Sequence, residues 1–189
     1  MKLIKSNKKG KNIHSPFVYR LVANILFAPY PFYAFPAIEK LAVSRQESTY
    51  LKQVFRLVNF FDFEQVSEIF PVNSHTKQVC QLAKSRIHYA EADKIPVSNK
   101  TSTHKGYSHL VIFSECQDGL DTDTFPKIPE VWIFRINNRK YTTEYFHKLK
   151  TKKEVQITIE LKQLGLVIFN KKFDKQNYVI KHSFGLPIG

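Results

Sequence analysis

At Gln65 the hydrophobic pattern of the chain changes period, and this change constrains the fold more than any single motif. Before it, apolar residues recur at helical spacing. Val18, Leu21, Val22, Ile25 and Leu26 form one stripe, and Leu51, Val54, Phe55 and Val58 form another. After it come short apolar runs at 66–72, 87–90, 109–113 and 131–136, separated by helical or polar stretches. Strands joined through helices are parallel and buried on both faces. Runs 155–161 and 164–170 are separated only by Lys162-Gln163, too short a link for a crossover, so they predict an antiparallel pair. Residues 178–180 predict a short last strand. The expected fold is α/β: a Rossmann-like mixed sheet, mostly parallel, with an antiparallel C-terminal strand pair and an N-terminal helical cap.

Local signals place the helices. Ser15-Pro16 supplies an N-cap and a first-turn proline. Pro36 opens a second helix, with Ile38, Leu41 and Ala42 inward. Ser48 is the expected cap of a third, which ends at Phe60-Phe61-Asp62. Asn73 or Ser74 caps a helix to about Lys84, and 142–150 form another with Tyr145, Phe146 and Leu149 inward. Residues 98–106 and 116–129 read as loops. The organisation is a flexible basic arm (1–12) carrying five lysines, a helical cap (13–62) and an α/β core (63–182), in a single domain.

Composition narrows the function classes. The formal charge of +13 gives a field that attracts nucleic acid or another polyanion, although a charge run is often only solvated surface. No apolar run reaches the ~18 residues of a membrane helix. Cys80 and Cys116 match no zinc spacing and read as free thiols of a reducing compartment, so the expected location is the cytoplasm. The seven histidines form no metal-ligand spacing, and no nucleophile elbow or phosphate-binding loop is present. Asn137-Asn138-Arg139-Lys140-Tyr141 follows a strand, at the edge where open α/β sheets bind ligands. Its amides and cations suit a phosphate or carboxylate, and equally a solvated turn.

Three segments carry a family resemblance: His14-Ser15-Pro16-Phe17-Val18-Tyr19, Phe55-Arg56-Leu57-Val58-Asn59-Phe60-Phe61, and the final strand pair with Leu164-Gly165-Leu166-Val167-Ile168-Phe169. In their order and spacing the chain resembles class I S-adenosylmethionine-dependent methyltransferases, in particular a bacterial branch with an N-terminal His-Ser-Pro-Phe-Val motif. The resemblance implies a cofactor crevice at the end of the first core strand, where Glu68-Ile69 fit the family's acidic and hydrophobic residues. Phe70-Pro71-Val72-Asn73-Ser74-His75 stand where the family has its glycine-rich turn. Glycine lets the backbone approach the cofactor there, whereas Phe70 adds bulk and Pro71 removes a donor.

Under the same resemblance Glu91 is the candidate ribose acid, at about the 20-residue offset such acids show, and Ser114 stands at the family's Asp position. Glu115, beside Arg135 and Arg139, makes a poor magnesium site, so no metal is expected. His14 is the candidate base, or an anchor for the first helix. The stretch after Glu91 is too short for a full helix–strand–helix, so at least one βα unit is expected to be missing. The expectation is a degenerate methyltransferase-like protein, binding S-adenosylmethionine weakly or not at all and acting by binding or assembly. The alternatives are an active methyltransferase with an altered turn and a basic polyanion-binding module.

Overall fold

The structure, a computed structural model, describes residues 3–7, 12–95, 107, 109–117, 125–126, 130–136 and 139–181. The loop expected at 98–106, most of that at 116–129, and Asn137 and Asn138 lie outside these residues.

Eight strands form one sheet: β1 (Leu3–Asn7), β2 (Gln65–Ile69), β3 (His88–Ala92), β4 (His109–Phe113), β5 (Glu130–Arg135), β6 (Ile157–Glu160), β7 (Leu164–Phe169) and β8 (Gln176–Lys181). Their order is β1-β8-β6-β7-β5-β4-β2-β3. Among the described strands only β7 runs against the rest, antiparallel to β5 on one side and β6 on the other. The mixed α/β sheet therefore has the Rossmann-like character that the strand pattern predicts.

The N-terminal arm is a correction. Residues Leu3–Asn7 do not float; they pair in parallel with β8, from Leu3↔Asn177 to Asn7↔Lys181. A lysine-rich composition says nothing about main-chain donors and acceptors, and an unpaired sheet edge accepts any extended backbone.

The helices are α1 (Pro16–Tyr19), which continues as a π-helical stretch (Arg20–Leu26), then α2 (Phe35–Leu41), α3 (Arg45–Phe61), α4 (His75–Ala83) and α5 (Lys140–Leu149). Ser15 caps α1 as expected, accepting from the Val18 N–H at 3.4 Å. The cap of α3 is Ser44, not Ser48: Ser44 Oγ accepts from the Glu47 N–H at 3.1 Å, and Glu47 Oε2 accepts from the Val43 N–H at 2.8 Å. Ser44-Arg45-Gln46-Glu47 is a capping-box sequence, and the reciprocal bonds outweigh the bare serine at 48. Asp62, at φ 54°, ends the helix in the left-handed region.

Two apolar layers sandwich the sheet. On one face Val66, Leu110, Ile112, Val131 and Ile133 meet α3, α1 and the π-helical stretch. On the other, Val111, Phe113, Trp132 and Phe134 meet Tyr145, Phe146 and Leu149 of α5. Gly165 lies beneath the Phe146 ring, where a Cβ would come within 2.7 Å of it. The α5 helix can settle on the sheet because β7 has no side chain at that point.

Candidate functional site

The chain leaves β2 toward β3 on one side and β4 toward β5 on the other, so the carboxyl ends of β2 and β4 flank the point where strand order reverses. Open α/β sheets bind ligands there. Glu68 and Ser114 do meet at this point: Glu68 accepts hydrogen bonds from the Ser114 hydroxyl and, from β3, the Tyr89 hydroxyl. Both Glu68 and Ser114 are 1% exposed. The backbone closes the gap as well, with Ser114 N–H donating to Ile69 O at 3.3 Å and Phe70 N–H to Ala92 O at 3.2 Å.

Burial pushes the Glu68 carboxyl above its ordinary range, more than the hydroxyls of Ser114, Tyr89 and Thr76 pull it back, and the Glu91 charge adds to the rise. Burial and the nearby carboxyl also hold the Tyr50 and Tyr89 phenols and the Cys80 thiol well above their usual values. This cluster favours neutral forms. Its carboxyl is committed to the protein's own hydroxyls rather than offered to a ligand.

The strand does not run to Val72 as the apolar pattern predicts. It stops at Ile69, because Phe70 takes φ 49° and turns the chain. This left-handed position suits glycine; a phenylalanine there costs about 1–2 kcal/mol. The Phe70 ring is half-buried and packs on the α5-side layer, which offsets that cost.

The other expected residues are scattered. Asn73 Oδ1 accepts from the His75 N–H at 3.0 Å, and its amide donates to Glu47 Oε1 at 3.3 Å. Ser74 occupies the N-cap of α4 without capping it and accepts from the Gln78 amide at 3.0 Å instead. Glu91 is exposed on β3, in register with Glu68. Arg139 is paired with Glu115 at 2.6 Å, and Lys140 is exposed on the first turn of α5.

His14 is at the wrong end of the sheet for a base acting at this crevice. Three residues on, Phe17 stacks on Phe173 at 4.8 Å and meets Phe60 and Phe61. Those rings lie just before β2 begins and just after β7 ends, beside the amino ends of the parallel strands. The hydrophobic anchoring of α1 fixes exposed His14 there.

Three polar features escape the strand pattern. The first is a relay through the sheet: Ser67 Oγ lies 3.0 Å from His109 Nε2, His109 Nδ1 lies 3.2 Å from Glu130 Oε1, and Trp132 Nε1 donates to Glu130 Oε2 at 3.0 Å. The order serine–histidine–carboxylate is that of a nucleophilic triad. Its setting is not: none of the three is more than 3% exposed, and β2 is paired on both sides, so its amides serve the ladder rather than an oxyanion. The relay satisfies buried polar groups.

The second is Glu47, 3% exposed, beside a cavity of about 220 Å³ at the carboxyl ends of the strands, which Ser44, Tyr50, Arg135, Arg139 and Gln163 also line. Burial alone would raise its carboxyl. The Val43 N–H, Asn73, His75 and Arg135 outweigh that and hold it below the ordinary range. The Arg135 guanidinium stands 3.6 Å from Glu47 and 5.2 Å from the Tyr50 ring centre. The third feature is a neighbouring cavity of about 240 Å³ that shares Gln163.

Among the described residues no three His, Cys, Asp or Glu side chains gather to hold a metal ion, and no helix is long and apolar enough to cross a membrane. Cys80 and Cys116 are buried free thiols, and burial pushes Cys116 up to about 11. Comparison with protein-family models, curated proteins and solved structures finds no match to this chain.

Proposed function

We propose that this chain is a divergent, shortened relative of the class I S-adenosylmethionine-dependent methyltransferases that has given up efficient cofactor binding and works through binding or assembly. The observation that carries the reading is the crevice between β2 and β4: Glu68 is consumed by Ser114 and Tyr89, and Phe70 stands in the backbone conformation that favours glycine. The strand order supports the lineage. The run β3-β2-β4-β5-β7-β6, with β7 alone reversed, resembles the family sheet with its third strand missing. The buried free thiols agree with a cytoplasmic setting.

An active enzyme with an altered turn is the second reading. Exposed Glu91 favours it, since a carboxylate on the edge strand is free to meet a ribose. Calorimetric titration with S-adenosylmethionine and S-adenosylhomocysteine separates the two. The degenerate reading expects no binding in the micromolar range. Micromolar binding abolished by Glu91→Ala would overturn it. The charge of +13 keeps a polyanion-binding role as a further alternative, marked by RNA or DNA affinity that falls steeply with salt.

A further inference from the structure

The cavity of about 220 Å³ beside Glu47 is lined by side chains from separate elements. Arg135 ends β5, Arg139 stands just before α5, and Ser44 caps α3. The two arginine side chains are 20% and 27% exposed, so solvent reaches both, and Ser44 is exposed as well. A guanidinium has five N–H donors and no acceptor.

Arg135 is held without being satisfied. Among the described residues its guanidinium makes no hydrogen bond. Glu47 Oε1 stands 3.6 Å away, beyond hydrogen-bond reach. Glu47 is already committed: Oε2 accepts from the Val43 N–H at 2.8 Å, and Oε1 accepts from the Asn73 amide at 3.3 Å and lies 3.4 Å from His75 Nδ1. The Tyr50 ring, centred 5.2 Å from the guanidinium carbon, attracts the cation without using any N–H. Arg139 spends Nη1 on Glu115 at 2.6 Å, but that carboxylate is half exposed, and such pairs are weak. Ser44 Oγ accepts from the Glu47 N–H at 3.1 Å, which leaves its O–H to donate.

The walls thus offer donors, and two guanidinium groups against one carboxylate leave them one positive charge. A planar fork matches a carboxylate in two parallel hydrogen bonds. The volume equals the liquid share of about seven waters, which suits a small acid. We propose that this cavity binds a small monocarboxylate in the Arg135 fork, with Arg139 and Ser44 as the further donors of its wall. A dianion would set a second negative charge against Glu47 with nothing to balance it. The site lies outside the crevice between β2 and β4, and Glu68, Phe70, Tyr89 and Ser114 are not among the residues that line it. The proposal therefore stands whether or not S-adenosylmethionine binds in that crevice.

The test is an NMR titration of the whole chain with butyrate and with sulfate, at neutral pH and constant ionic strength, following the arginine Nε–Hε signals. Butyrate is expected to move the Arg135 signal, identified by its absence in Arg135→Lys, and to bind with a Kd below about 10 mM. Sulfate is expected to bind at least about tenfold more weakly. Arg135→Lys keeps the charge but loses the fork, and is expected to weaken butyrate at least about tenfold. Arg139→Lys, at the solvent edge, is expected to weaken it about threefold and serves if the first variant does not fold. Glu47→Gln is expected to narrow the preference for butyrate over sulfate, and Lys171→Ala to leave butyrate binding unchanged. Sulfate binding as tightly as butyrate overturns the proposal, as does undiminished butyrate binding in Arg135→Lys. So does a preference that Glu47→Gln leaves intact, a loss of binding in Lys171→Ala, or no binding by wild type at about 100 mM butyrate.

Discussion

The crevice between β2 and β4 and the groove along α3 treat buried polarity in opposite ways. In the crevice Glu68, Ser114 and Tyr89 satisfy one another, and the backbone bond from Ser114 to Ile69 draws the strand ends together. Along α3, Gln53 Oε1, Arg56 Nε and Gln163 Oε1 are buried without partners, in residues that line an open cavity. The crevice is where topology expects a ligand, yet its polar groups are already paired; the groove holds unpaired polar atoms and open space side by side. A strand-order reversal supplies a place to bind, but only unspent donors and acceptors supply the affinity.

The largest effect that could break this comparison is in the crevice. Glu68→Ala strands the Ser114 and Tyr89 hydroxyls in the interior, and urea unfolding is expected to show a loss of about 3 kcal/mol. A costless substitution would mean that these bonds do not hold the crevice shut.

A second test uses the opposed carboxyl shifts. Glu68 is raised in the folded protein, so its contribution to stability is complete below the unfolded carboxyl value of about 4.3 and is lost as pH rises through the folded value. Glu47 is lowered, so its contribution is present above that unfolded value and is lost as pH falls through the folded one. Relative to wild type, Glu68→Gln should therefore gain stability as pH climbs from about 4 toward neutrality, and Glu47→Gln should gain it as pH falls below about 4. Slopes of the same sign in the two variants would erase the distinction between the two sites.

The smallest expected effect is at Phe70. Phe70→Gly relieves about 1–2 kcal/mol of left-handed backbone cost but gives up a similar amount of apolar burial. The stability change should stay within about 1 kcal/mol. If this variant takes up S-adenosylmethionine while wild type does not, the ring alone keeps the crevice closed.

What the sequence reveals depends on how far a signal reaches. Ser15-Pro16 acts within four residues and is legible, as is the apolar run His109–Phe113, all of it buried. The cap of α3 was equally local, and Ser44-Arg45-Gln46-Glu47 held the sign of it. The closed state of the candidate site was not local. Glu68 finds Ser114 and Tyr89 only once three strands align, and no spacing encodes a hydroxyl directed at a carboxylate. Of the two roles open to His14, base or helix anchor, the choice is equally non-local: what holds its helix is Phe173, far away in sequence. His109 and Glu130 left a fainter trace, as polar residues opening two apolar strands, which is where a buried relay has to show itself.

The pairing of β1 with β8 also bears on how the molecule comes into being. Leu3 lies opposite Asn177, so two strands far apart in sequence are neighbours in the sheet. Closing so long a loop carries a heavy entropic cost, and non-local pairings of this kind slow folding. Until β8 emerges, Leu3–Asn7 can pair with another chain's open edge as readily as with its own. Removing β8 should therefore free β1, whereas removing β1 leaves β8 held by β6, so the dependence at this edge of the sheet runs one way.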